Sequence, residues 1–127
     1  MITFTFNGIS SEIFNILVLE SNHNTKPSKR IEFIEVPGRT GNLMIYDNSR
    51  ENLEINIQCH VELDGNQNKG ALLDDLDTWL NGEDGYLDLI FNNGKAFKAV
   101  FIGELYLPDT DFFYTDFELK FSAYEVI

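Results

Sequence analysis

The chain is poor in the residue types that many catalytic and metal sites require. It has one cysteine and two histidines, so no intrachain disulfide can form. A zinc site needs three or four converging ligands, whereas His23 and His60 fall in separate predicted elements without partners at ligand spacing. Cys59 lies within an apolar run, and no serine stands in a nucleophile-elbow context. The sequence therefore offers no constellation for an enzyme.

Positive charge and long apolar runs are also scarce. The chain has nine basic and 21 acidic side chains, which gives a formal net charge of −12. Proteins that grip nucleic acid or anionic lipid need an excess of positive charge. No window approaches the roughly 18 uninterrupted apolar residues of a membrane span, and the start "MITFTFNGIS" lacks the basic region of a signal peptide. We therefore expect no specific nucleic-acid binding and no membrane partner.

The apolar residues that are present predict one mainly β domain over residues 1–127. "KGALLDDLDTWLNG" has helical periodicity, which makes Leu76, Trp79 and Leu80 core anchors and Gly82 a left-handed helix cap. "IFNILVLE" is continuous enough to predict a strand buried on both faces. We expect an α+β fold, a β-sandwich or split barrel with a single helix packed on it. The predicted strands are ITFTF, IFNILVLE, RIEFIEV, LMIY, LEINIQCHVEL, YLDLIF, KAFKAVFIGEL and FFYTDFELKFSAYEV, with DNSREN between the fourth and fifth.

One loop places an arginine between two glycines in an otherwise acidic chain. It consists of Pro37, Gly38, Arg39, Thr40 and Gly41, directly after the strand "RIEFIEV". The loop is too short for a phosphate loop and lacks the lysine and helix that would follow one. The residues alone leave three interpretations open: an anion cradle, a hairpin tip without chemistry, and a loop that meets another copy of the chain.

Two acidic segments imitate functional sites. In "DGNQNKGALLDD", Asp64, Asn66 and Asn68 take the first ligand positions of a calcium loop, but lysine replaces the required glycine and aspartate the final glutamate. In "LPDTDFFYTDFE", Asp109, Asp111 and Asp116 could supply paired carboxylates for acid–base catalysis. However, Asp109 and Asp111 sit in a turn after a proline, where short polar residues favour the turn itself. We read both as polar loops and expect neither a metal nor a cofactor.

The order of the motifs resembles the N-terminal domain of the distal tail protein (Dit) family of siphophages. In that family an "F-x-(F/Y)-N-G" opening precedes an acidic strand that ends in "PGR-x-G", and a "W-L" helix leads into a strand pair. The resemblance covers nearly the whole chain. The matching residues are Phe4, Phe6, Asn7, Gly8, Pro37, Gly38, Arg39, Gly41, Trp79 and Leu80.

The resemblance implies a virion structural protein at the tail tip, made in the bacterial host cytoplasm. Six copies would form a ring that joins the tail tube and tape-measure protein to baseplate or tip proteins, and DNA would pass through without specific binding. The family's second, outward-facing domain has no counterpart here, so the chain is either a short member or stops at the domain boundary. In this context we expect residues 37–41 to lie at a subunit interface or the lumen edge.

Two other classes of function remain open. The first is a tail-tube-type assembly protein, which shares the plan of a β-barrel with a helix. The second is a β-sandwich module that binds glycans or calcium. An enzyme is the least favoured interpretation, because no catalytic constellation supports it.

Overall fold

The computed structural model describes residues 1–63, 69–108 and 113–126, apart from the side chain of Asn48. It has nine strands and a single α-helix within these residues, together with one short 3₁₀ helix (Ser11–Phe14). No helix in this part of the chain is long and apolar enough to cross a membrane. The elements are β1 (Phe4–Phe6), β2 (Ile9–Ser10), β3 (Ile16–Ser21), β4 (Lys29–Ile34), β5 (Leu43–Arg50), β6 (Leu53–Glu62), α1 (Lys69–Asn81), β7 (Leu87–Phe91), β8 (Ala96–Ile102) and β9 (Tyr114–Glu125).

The strands form two antiparallel sheets of very different size. Seven strands make one sheet in the order β2-β1-β7-β8-β9-β6-β3, and β4 pairs only with β5. In a flat sheet β1 and β9 would lie about 14 Å apart, three strand spacings. Yet the rings of Phe6 on β1 and Phe121 on β9 have centroids 5.0 Å apart. The large sheet therefore curls round its apolar face into a split barrel, which confirms the predicted fold class.

The longest strand pair forms the floor of the core. Strand β6 pairs with β9 over its whole length, from Leu53 opposite Ala123 to Glu62 opposite Tyr114. Alternate residues of β6 are buried, as its period-two pattern predicts. The last strand follows its predicted alternation from Thr115 onward, whereas Phe113 lies before the strand and is exposed.

Helix α1 packs on the inner face of the curled sheet through one large aromatic side chain. The indole of Trp79 stacks on Phe14 at 4.7 Å and on Phe4 at 5.7 Å between ring centroids. Its Nε1–H donates a 2.9 Å hydrogen bond to the carbonyl oxygen of Phe6. Leu76 and Leu80 are buried beside it. The buried stripe of the helix is the one that its spacing predicts.

The segment "IFNILVLE" is not the doubly buried strand that its apolar run suggests. Its first part belongs to the 3₁₀ helix, which ends at Asn15 in the left-handed conformation with a φ of 57°. The rest is β3, the last strand of the large sheet, so only one of its faces meets the core. Leu17 and Leu19 are 40% and 57% exposed on the other face. The prediction of burial on both faces is therefore wrong.

Gly82 ends α1 for a different reason from the one predicted. It is absent from the glycines with positive φ, so it is not a left-handed cap. A Cβ atom added at Gly82 would lie 2.3 Å from the carbonyl oxygen of Thr78, much closer than two such atoms can approach. Glycine is needed here because the backbone passes too close to the helix for any side chain.

Candidate functional site

Residues 37–41 form the tip of a β-hairpin that we call the arm, defined as residues 29–50. At the tip, the backbone N–H of Arg39 donates a 3.1 Å hydrogen bond to the carbonyl oxygen of Val36. Gly38 and Gly41 have φ values of 80° and 81°, a region that favours glycine. A Cβ atom at either glycine would meet nothing within 4 Å. The glycines therefore serve the turn itself, and the tip packs against no part of the chain that the structure describes.

The arm stands away from the rest of the protein. Every residue from 28 to 47 is exposed. Among the described residues, the only extensive contact that the arm makes is between its own two strands. An isolated two-stranded hairpin has marginal stability in water, because it buries too little apolar surface. We therefore expect another surface to cover the arm when the protein works.

Two consecutive cross-strand pairs make one face of the arm apolar, beyond the Lys29–Arg50 pair at its base. Ile31 lies opposite Tyr46, and Phe33 lies opposite Met44, so these four side chains share one face. Phe33 is 60% exposed and Tyr46 51%, which is unusual for large apolar side chains that are neighbours. Contiguous exposed apolar patches of this kind mark interaction sites. We call this set of four side chains the arm face.

The opposite face of the arm mixes apolar and charged groups. Ile34 lies opposite Leu43, whereas Glu32 lies opposite Ile45. Nearer the body, Arg30 pairs with Glu51 at 3.3 Å. Because charged groups accompany the apolar ones here, this face is better suited to water than the arm face.

The arm also differs from the body in charge. It holds all three arginines of the chain and one lysine against three acidic residues, which gives it a formal charge of +1. The remaining residues contain five basic and 18 acidic side chains, which gives −13. Within the described residues the side chain of Arg39 makes no hydrogen bond and no ion pair, so its five donors remain available to a partner.

The base of the arm is fixed to the body by a buried histidine. The ring of His23 is stacked on Phe91 of β7, and its Nδ1 lies 2.9 Å from the hydroxyl of Ser21. Asn93 donates through Nδ2 to Nε2 of His23 at 3.2 Å and to Oδ1 of Asn24 at 3.1 Å. Because Nε2 accepts the hydrogen bond from Asn93, the ring proton lies on Nδ1 and the imidazole is neutral. Burial lowers the pKa of His23, in agreement with the neutral form.

Charged and backbone contacts complete the attachment. Lys26 and Lys95 both bind the carboxylate of Glu125, the second at 3.2 Å, and these bonds lower the pKa of Glu125. Arg50 donates from Nη1 to the carbonyl oxygen of Pro27 at 2.8 Å. The chain therefore enters and leaves the arm through anchored segments, and the direction of the arm is set by the body.

Sequence reasoning found the tip but missed both the arm face and the anchor. The alternation of "RIEFIEV" and "LMIY" predicts strands, but it cannot tell burial by the chain's own core from burial by another chain. Apolar residues on both faces of a single hairpin are the signal that could have indicated burial by another chain. His23 and Asn93 are too far apart in sequence for spacing to bring them together.

Within the described residues, the other candidate residues taken from the sequence form neither a metal site nor a reactive nucleophile. No group of three histidine, cysteine or acidic side chains among them could hold a metal ion. Burial raises the pKa of the Cys59 thiol to about 12, which makes it a poor nucleophile. His60 donates from Nδ1 to Asp116 and stacks on Tyr114, on the outward face that its alternation predicts. The calcium-like residues Asp64, Asn66 and Asn68 lie outside the described residues, as do Asp109 and Asp111.

Comparison with known proteins gives one informative result. No protein-family model matches the chain, and no curated protein matches its sequence. The crystal structure of Dit (gp 19.1) of phage SPP1, titled a paradigm of the hub adsorption apparatus in phages that infect Gram-positive bacteria, is similar with a TM-score of 0.70. The alignment covers 94% of this chain and 49% of that one at 15% identity, so the chain spans about half the length of that protein. At this identity the likeness shows the fold alone: the chain shares the fold of about half of that Dit protein, as the sequence resemblance predicts.

Proposed function

We propose that the chain is a structural protein of a phage tail tip, in which six copies close into a ring through their arms. The ring joins the tail tube and tape-measure protein to baseplate or tip proteins, and DNA passes through its hole without specific binding. Residues 1–127 act as the ring-forming domain, made in the host cytoplasm and incorporated into the virion. The protein works as a building block and not as an enzyme.

The observation that carries this proposal is the exposed arm face on a distal tail protein fold. A closed ring needs head-to-tail contacts, in which one patch meets a different patch on the neighbour. Phe33 and the three side chains that share its face supply one such patch, and they lie outside the core that the described residues form. Covering these side chains removes apolar surface from water, which contributes about 25 cal/mol per Å² of apolar area.

Charge favours the same arrangement. Copies with a net charge of −12 repel each other, which opposes assembly through their acidic bodies. An arm with a charge of +1 approaches an acidic neighbour more easily than a second acidic body does. Arg39 at the tip can bind a carboxylate on that neighbour through two parallel hydrogen bonds. The same acidity suits a hole that must release DNA.

The experiment is to measure the mass and symmetry of the purified chain, alone and with its tail-tube protein. Mass photometry and negative-stain microscopy are expected to show rings of six. The variant Phe33→Ser is expected to reduce the ring fraction, whereas Tyr106→Ser, a matched change at a 70% exposed body position, is expected to leave it unchanged. A chain that stays monomeric beside the tail-tube protein would contradict the proposal. Long stacks of rings would instead identify a tail-tube subunit.

A glycan-binding module is the second candidate function, and one groove favours it. The groove has a volume of about 570 Å³ and runs beside β9, where Tyr106 lies near Glu104, Glu118 and Lys120. An exposed aromatic ring among polar groups offers both an apolar face and hydrogen bonds to a sugar. Binding to a glycan array that Tyr106→Ala abolishes would support this function, and binding that survives the substitution would exclude the groove.

A further inference from the structure

We infer that the surface which receives the arm of a neighbouring copy is the exposed side of β3 together with the adjoining residues of β6 and β9. This inference rests on the proposed ring and adds to it the location of the second half of the contact. We call this surface the β3 patch. It consists of Leu17, Leu19, His60, Glu62 and Tyr114.

The β3 patch has the apolar surface that the arm face needs. Leu19 is 57% exposed, and Leu17 borders a hollow of about 410 Å³ that His60 and Glu62 also line. Tyr114 stacks on His60 with ring centroids 5.3 Å apart, which extends the apolar surface across β9. In a single copy, the arm face and the β3 patch both expose large apolar side chains to water. Contact between them would bury the apolar area of each.

The position of β3 in the fold makes the patch accessible to a hairpin. β3 is the last strand of the large sheet, and its outer edge has no strand partner within the described residues. Such an edge can pair with a strand from another chain. β3 and β4 each contain six residues, so they have the same length. If β4 lies antiparallel to β3, Phe33 meets Leu17, and Ile31 falls near Leu19, where a bulge interrupts β3 between Val18 and Glu20.

This alignment also brings the tip of the arm towards free carboxylates. In this alignment Arg39 lies further along the arm than Phe33. It therefore extends past Leu17 towards Glu62, which lies at the end of β6. In the described part of the chain, the carboxylate of Glu62 has one nearby partner, the imidazole Nε2 of His60 at 3.8 Å, so it remains available. The tip arginine and this acid therefore complement each other.

A competing apolar surface on the body is less suitable. Tyr86 and Tyr124 pack edge to face at 5.0 Å, and the hydroxyl of Tyr86 accepts a hydrogen bond from Asn52 at 2.9 Å. The neighbouring acid, Asp88, is already paired with Lys98. More of the polar groups on this surface already have partners within their own chain, so fewer of them are available to bind an incoming arm.

The test is to link copies covalently through one cysteine on the arm and one on the patch. In the double variant Phe33→Cys/Leu17→Cys, mild oxidation is expected to give a ladder of disulfide-linked species up to the full ring on a non-reducing gel. Ile90 is 45% exposed and shares the outward face of β7 with Asp88 of the competing surface. The matched double variant Phe33→Cys/Ile90→Cys places the second cysteine there and is expected to give no ladder. Cys59 is buried and does not take part.

Each outcome decides between the proposals. A ladder from the Ile90 variant, or an internal disulfide within monomers of the Leu17 variant, overturns the β3 patch but leaves the ring intact if mass photometry still shows rings. Failure of the unmodified chain to assemble with its tail-tube protein overturns the ring itself, and the patch with it. A second measurement uses charge: Arg39→Glu and Glu62→Lys are each expected to weaken assembly roughly tenfold and, together, to restore most of it. Lack of recovery in the double variant would contradict the pairing of these two residues.

Discussion

His23 lies face to face with Phe91, with ring centroids 3.9 Å apart and planes 5° from parallel. The first residue precedes the arm, and the second lies at the end of β7, so this contact connects the arm's base to the body. Its neutral imidazole is held by hydrogen bonds on both nitrogens. The contact therefore depends on the imidazole staying neutral, because protonation would remove the hydrogen bond that Nε2 accepts from Asn93.

The first prediction concerns pH. Burial lowers the pKa of His23 below its ordinary value of 6.5, so the unfolded chain binds a proton more readily than the folded one. The free energy of unfolding should therefore decrease as pH falls below 6.5, and be restored above it. Urea denaturation between pH 7.5 and 5.5 measures this change. His23→Gln is expected to reduce the pH dependence, and the control His60→Gln to retain it. Equal pH dependence in both variants would show that another group is responsible.

The second prediction concerns Gly82. Gly82→Ala would place a Cβ atom 2.3 Å from the carbonyl oxygen of Thr78, so the end of α1 must shift. We expect a loss of about 1 to 3 kcal/mol in the free energy of unfolding. Glu83→Ala, at the next and exposed position, is expected to change it by less than about 0.5 kcal/mol. Thermal and chemical denaturation compare the two. An unchanged Gly82→Ala variant would mean that the helix end adjusts freely.

The third prediction concerns the indole of Trp79. Trp79→Phe keeps an aromatic ring on Phe14 but removes the hydrogen bond to the carbonyl oxygen of Phe6. Loss of a buried hydrogen bond is expected to cost about 1 to 3 kcal/mol. Trp79→Ala, which also removes the stacking, is expected to cost about 3 to 5 kcal/mol. If the two variants were equally stable, the ring would contribute nothing beyond the hydrogen bond.

The fourth prediction concerns Arg39. Its side chain has no hydrogen bond or ion pair in the described part of the chain, so Arg39→Ala should leave the melting temperature of the monomer nearly unchanged. The same variant is expected to weaken ring formation, because it removes a charge that a neighbouring copy would bind. Lys29→Ala makes the same change of charge at the base of the arm and serves as the control. A monomer that unfolds when Arg39 is replaced would show that the tip belongs to the core.

Local patterns predicted most of the body. The alternation of β6 gave its buried face correctly, because its neighbours β3 and β9 leave one side to the core and the other outward. The spacing of Leu76, Trp79 and Leu80 gave the buried face of α1 for the same reason. Asn7 and Gly8 both have positive φ, at 52° and 80°, and make the turn that their dipeptide predicts.

The errors arose where a long-range relationship decides the outcome. Leu17 and Leu19 looked buried because an apolar run does not reveal whether its strand lies at the edge of a sheet. The need for glycine at position 82 depends on the path of the backbone relative to Thr78, which composition does not encode. The arm looked like two ordinary strands because exposure is a property of the whole fold.

The arm is inserted between strands that the body holds together without it. β3 precedes the arm and β6 follows it, and these two strands are paired from Ile16 opposite Val61 to Ser21 opposite Ile57. Trypsin can reach Arg39 at an exposed loop tip, the kind of place where proteases cut first. A single cut there would leave two fragments held together by the hydrogen bonds between β3 and β6. The nicked protein would keep its shape and melt as one unit, yet its severed hairpin could no longer hold a neighbour.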